Sequence, residues 1–132
     1  MGFADPRIVR ARAFAIHNEE LAAKLEGTKY YSVTYRLFKH TNLEPSQEDY
    51  GQAVLYKGTV ADSEMAFALD LTHVFEAGRI VPVSGNTACM LQNTRLSKHF
   101  QVFEAEERRH FGPFEGGKTL DVPAAVRLEA TV

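Results

Sequence analysis

The side chains able to do chemistry gather in the second half of the chain. Its single cysteine, Cys89, lies there with three of the five histidines, His73, His99 and His110. Thiolate and imidazole suit soft metal and metalloid ions, so these four form a candidate ligand set. Their separations carry no recognised ligand spacing. Cys89 falls in the first turn of an expected helix, where the dipole favours a thiolate. The same four residues serve equally well as a small buried hydrophobe and histidines bonded at strand ends. Asp49, Asp70 and Glu76, with His99, are acid–base types. Loop and turn carboxylates commonly do no more than solvate a surface or cap backbone N–H groups. Further candidate ligand contacts are Tyr50, Arg79, Asn86 and Thr87. Gly85-Asn86-Thr87 follows a strand and opens a helix, an arrangement that points free N–H groups at an anion. Helix capping explains the same residues. Tyr30, Tyr31 and Tyr35 offer faces for stacking a flat ligand or for cross-strand packing. There is no Gly-x-Gly-x-x-Gly after a strand, no Walker loop, no Cys-x-x-Cys and no His-Glu-x-x-His.

The elements that must position these groups are short and mostly extended. Ile8 to Ile16 alternates as a strand with one heavily buried face. Asn18, Glu19 and Glu20 open a helix that Gly27 closes. Lys29 to Lys39 is a second strand, rich in aromatic and β-branched residues. After a loop from His40 to Glu48, Tyr50 to Val60 and Met65 to Leu71 read as strands. The short Asp62-Ser63 connection pairs them as an antiparallel hairpin. Ile80 to Val83 is another strand, which Pro82 assigns to a sheet edge. Asn86 or Thr87 then caps a helix running to about Ser97. His99 to Phe103 and His110 to Phe114 close the sheet, and the tail after Gly117 is a frayed end or a last edge strand. The expected fold is α+β, a largely antiparallel sheet with two short helices.

Composition limits the partners. A chain of 132 residues with 45% hydrophobic and 24% charged residues is an ordinary globular domain. A net charge of −2 gives no electrostatic reason to bind nucleic acid. No apolar run approaches the ~20 residues of a membrane span, and no signal peptide is visible. One cysteine allows no internal disulfide and points to a reducing cytoplasm.

Several blocks, taken in order, resemble the C-terminal region of arsenite methyltransferases, which are S-adenosylmethionine-dependent enzymes. They are Gly2-Phe3 with Asp5-Pro6-Arg7, Tyr35-Arg36-Leu37-Phe38-Lys39, Glu48-Asp49-Tyr50-Gly51-Gln52 and Tyr56-Lys57-Gly58-Thr59. Then follow His73 with Phe75-Glu76 and Gly78-Arg79, Gly85-Asn86-Thr87-Ala88, and Lys98-His99-Phe100 with His110-Phe111-Gly112 and Phe114. The resemblance implies that residues 1–39 are the last strand–helix–strand of a class I methyltransferase fold and residues 40–132 a C-terminal accessory domain. It implies a non-catalytic accessory role, with no cofactor site in this chain and S-adenosylmethionine seated on a partner domain or methyltransferase subunit. In the family pattern a cysteine often precedes Glu-Asp-Tyr-Gly-Gln, and some members have another before Gly-Asn-Thr; here those places hold Gln47 and Ser84. The alternative is a small ligand- or metal(loid)-binding module that self-associates through an unfinished sheet edge.

Overall fold

The structure of the protein, a computed structural model, describes residues 4–14, 30–116 and 119–130. The helix expected after Asn18 lies outside these residues. Strands β1 (Arg7–Phe14) and β2 (Tyr30–Arg36) pair antiparallel. The register slips by one residue between Ile8 and Arg10, leaving Val9 as a bulge. A one-residue slip exchanges the two faces of a strand. Buried Ile8 and Ala11 therefore share a side, although they belong to opposite sets of the plain alternation.

A three-stranded antiparallel sheet has the order β6 (Ile80–Val83), β3 (Gln52–Tyr56), β7 (Phe100–Phe103). Pro82 stands on its edge strand, as its missing N–H requires. The expected hairpin between Tyr50–Val60 and Met65–Leu71 does not form. Both edges of β3 are filled by β6 and β7, and β4 (Ala66–Ala68) pairs instead with β5 (Val74–Glu76). Two local features turn the chain away. Gly58 adopts φ 75° just past β3. The Tyr56 hydroxyl donates to the Ser63 carbonyl at 2.6 Å and accepts from the Val60 N–H at 3.1 Å, fastening the loop into its own turn. Asp70 then sets the β4–β5 turn by accepting the backbone N–H groups of Thr72 and His73 on Oδ1.

Two α-helices are described. Helix α1 (Gly85–Gln92) is capped by Ser84, whose hydroxyl accepts from the Thr87 N–H. The cap is thus two or three residues earlier than expected, and the helix ends well before Ser97, where a 3-10 turn (Ser97–His99) leads into β7. The tail is neither frayed nor extended: it forms α2 (Val122–Ala130). The Asp121 carboxylate caps this helix by accepting the Ala124 N–H at 2.9 Å, and Pro123 sits in its first turn. His110–Phe114 makes no strand, only an isolated bridge from Pro113 to Glu48.

Apolar packing falls into two clusters. The larger lies under β3, β7 and α1 and includes Val54, Tyr56, Leu69, Met90 and Leu91, with Phe67 and Phe75 packed around Phe100 at centroid separations of 5.8 and 5.6 Å. The smaller joins Ile8 and Ala11 of β1 to Ala125 of α2. Glu129 of α2 also accepts the Ala11 N–H at 2.5 Å, covering that backbone donor.

Removing the Tyr56 hydroxyl tests the loop. Tyr56→Phe leaves the Ser63 carbonyl and Val60 N–H without their partner and costs about 1–3 kcal/mol. Urea unfolding should show a lower midpoint at unchanged slope.

Candidate functional site

Arg7 opens β1 but its side chain is fully buried. Its guanidinium extends into the contact between the two clusters. Nη1 donates to Asp70 Oδ2 at 3.1 Å, and Nη2 lies 2.8 Å from Asp5 Oδ2, 3.2 Å from Gln47 Oε1 and 3.0 Å from Thr87 Oγ1. A buried cation is tolerated only when paired and hydrogen-bonded, and Arg7 has two carboxylates. Asp5 holds a left-handed backbone, φ 52°, directly before Pro6. Its Oδ2 repays that strain by accepting from Arg7 Nη2, from Gln47 Nε2 at 2.5 Å and from Asn86 Nδ2 at 3.0 Å. The Asp5 carboxylate thus meets the Gly85-Asn86-Thr87 turn through the Asn86 side-chain amide, while the Gly85 and Thr87 N–H groups go to the Glu48 carbonyl and the Ser84 hydroxyl.

Gln47 and Ser84, which stand where the resembled family often, or in some members, has a cysteine, touch each other: the Ser84 hydroxyl donates to Gln47 Oε1. Gln47 spends its remaining amide capacity on Asp5 and Arg7. Neutral oxygen and amide groups satisfied in this way are poor ligands for a soft metalloid, which prefers thiolates.

Asp70 carries the network onward. Its Oδ1 lies 2.7 Å from Nδ1 of His73, which is itself buried. Burial pushes the Asp70 carboxyl up. The hydrogen bond and charge of His73, the Thr72 N–H and the Arg7 charge outweigh it and hold the group at about 2.

The other candidates occupy separate surroundings. Cys89 Sγ is 3.4 Å from His40 Nδ1, His99 Nδ1 is 2.7 Å from Thr59 Oγ1, and His110 Nε2 is 3.4 Å from Glu48 Oε1. No three His, Cys, Asp or Glu side chains gather into a metal-holding group among the described residues. Glu76 and Arg79 form an exposed ion pair at 3.5 Å. Asp49 Oδ1 accepts the Gly51 N–H at 2.9 Å. The Tyr50 hydroxyl donates to both oxygens of Glu44, a bond that pushes its phenol pKa up. The Tyr50 ring lies under Arg108, 4.3 Å from centroid to guanidinium carbon, and against Gly85. Of the sequence-level candidates, Asp70, His73, Asn86 and Thr87 are brought into one network. Arg7, Asp5, Gln47 and Ser84 are the members that residue-type reasoning passed over. The Asp5-Pro6-Arg7 block pointed to the first two, and the cysteine positions of the resembled family to Gln47 and Ser84.

The fold and this joint define an antiparallel α+β module with a buried polar network around Arg7. Residues 49–119 match the model of the arsenite methyltransferase C-terminal domain. The chain is 51% identical over 128 residues to an arsenite methyltransferase of Aquipseudomonas alcaligenes, covering 95% of this chain and 37% of that protein. It is 32% identical over 117 residues to the human arsenite methyltransferase, 89% of this chain and 30% of that one. The crystal structure of the arsenic(III) S-adenosylmethionine methyltransferase of Chlamydomonas reinhardtii superposes with a TM-score of 0.79 at 39% identity, over 86% of this chain and 38% of that one. The chain belongs to the arsenite methyltransferase C-terminal domain family, and it spans between 30% and 38% of the length of these relatives.

Two substitutions check the joint. The Asp70 carboxyl sits at about 2 in the fold against an ordinary 3.8. The group is thus lowered by folding, so its stabilisation is complete above about pH 4 and is withdrawn as the pH falls toward 2. Acid titration of stability should show a loss on the order of 2 kcal/mol across that window, and the loss should be missing in Asp70→Asn. In the second, a Cβ at Gly85 would lie 2.7 Å from the Tyr50 ring, which Glu44 and Arg108 hold in place. Gly85→Ala should lower stability by about 1–3 kcal/mol in thermal unfolding.

Proposed function

We propose that this chain acts as the non-catalytic C-terminal accessory module of an arsenite methyltransferase-type enzyme in the cytoplasm. The S-adenosylmethionine site then belongs to a methyltransferase domain or subunit apart from these residues. The observation that carries this reading is the joint itself. Family blocks far apart in sequence, Asp5-Pro6-Arg7 and Gly85-Asn86-Thr87, close on one buried guanidinium. Such a joint ties β1 and β2 to the accessory core in one fixed relation. Among the described residues β2 is bonded to β1 alone, so its other edge is free to continue a partner's sheet. Tyr35 and Leu37, 45% and 44% exposed, stand beside that edge.

The accessory role here is structural rather than metalloid-holding, because hydrogen-bonded Gln47 and Ser84 stand where thiolates would be needed. The contact of Cys89 with His40 is the one feature favouring a small ion-binding module instead. Native mass spectrometry with arsenite separates the readings. The chain as it stands should retain no arsenic, and Gln47→Cys with Ser84→Cys should retain one atom per chain. Retention by the unaltered chain, abolished by Cys89→Ser, overturns the accessory reading in favour of the module. Titration calorimetry with S-adenosylmethionine is the companion measurement. Micromolar binding to this chain refutes the assignment of the cofactor to another domain.

A further inference from the structure

A cleft of about 680 Å³ opens between β5, β6 and the segment 111–116, within the size range of small-molecule sites. It is distinct from the Arg7 joint, though His73 reaches both. The ring of His73 is fixed from behind: Nδ1 and the backbone N–H both meet Asp70 Oδ1, at 2.7 and 2.8 Å. The residue is only 7% exposed, yet among the described residues Nε2 has no hydrogen-bond partner. Among the described residues the sealed, unpartnered side-chain atoms are Arg7 Nε and Gln52 Oε1, so Nε2 remains open to the cleft. With Nδ1 directed at the Asp70 carboxylate, Nε2 is the ring atom left to meet an occupant, an acceptor whenever the ring is uncharged.

The remaining lining gives the occupant its character. Val81, Phe111 and Phe114 supply apolar and aromatic walls, and Asp49 and Glu115 supply carboxylates. Asp49 bonds the Gly51 N–H through Oδ1 and keeps Oδ2 uncommitted. Among the described residues no lysine or arginine lines the cleft. The carboxylates facing the space favour an occupant rich in N–H donors, and the walls favour an apolar body. Pro82 removes one backbone donor from the β6 edge that forms the rim, which disfavours an added peptide strand there.

We propose that this cleft is a binding site for a small organic amine, with an aromatic or aliphatic body held between Phe111, Phe114 and Val81. Its N–H donors meet His73 Nε2 and the Asp49 and Glu115 carboxylates. The site is independent of the accessory role and of any metalloid.

Amide chemical-shift titration of the full chain with 2-phenylethylamine tests it, with 3-phenylpropionate as the matched anion. The expected result is saturable shifts confined to residues 49–51, 72–75, 81–83 and 111–116. The anion should bind at least about tenfold more weakly, since it faces like charges. Asp49→Asn retains the acceptor for Gly51. His73→Asn retains a donor for Asp70 and removes Nε2. Each should weaken the amine about fivefold or more, in proportion to one charge-assisted hydrogen bond. Should His73→Asn fail to fold, Asp49→Asn and the anion control decide the matter. The proposal is overturned by an absence of saturable shifts at concentrations on the order of 10 mM, by shifts mapping elsewhere, or by equal affinity for the anion.

Discussion

A guanidinium shut away from water is the constraint on which this molecule turns. Removing such a charge from solvent costs several kcal/mol, and the cost is recovered only if its partners arrive with good geometry. Arg7 recruits them from four places: the Asp5 turn before β1, Gln47 in the loop before β3, Asp70 between β4 and β5, and Thr87 at the start of α1. Each of those segments is held in turn by a local device. Asp5 is strained and triply bonded, Asp70 ties down its own turn, and Ser84 caps the helix that presents Asn86 and Thr87. Loops with little apolar area of their own are thereby placed relative to one another by directional bonds.

The same arrangement decides what the joint does chemically. A pair of thiolates at positions 47 and 84 would leave two soft, charged donors side by side. An amide and a hydroxyl at those positions bond each other and then Asp5, Arg7 and the helix start. Their lone pairs are engaged in rigidity.

Much of the framework could be read from local pattern. β1 and β2 alternate or concentrate β-branched and aromatic residues, and Pro82 named its edge correctly. What failed was pairing. The short Asp62-Ser63 connection is compatible with a hairpin, but sequence adjacency cannot weigh it against two better neighbours for β3 that arrive later in the chain. The terminal helix was legible and missed: Asp121 followed by Pro123 is an N-cap with a first-turn proline, and the weak valine–leucine alternation obscured it. Arg7 was invisible to residue-type reasoning, because an arginine in an alternating strand is normally a solvent-facing side chain, as Arg10 and Arg12 are. Only the block around it marked the residue.

The joint also explains why two apolar clusters can serve one module. Apolar contacts are non-directional and tolerate sliding, so packing by itself would leave β1 and α2 loosely placed against the larger core. A buried ion pair contributes little net stability but permits few alternatives, since any displacement strands a charge. With Arg7 at the start of β1 locking it to Asp70, and Glu129 of α2 holding the Ala11 N–H four residues further on, the strand is fixed at two points by polar bonds. β2, registered on β1, is therefore held in a set orientation relative to β3, β6 and β7.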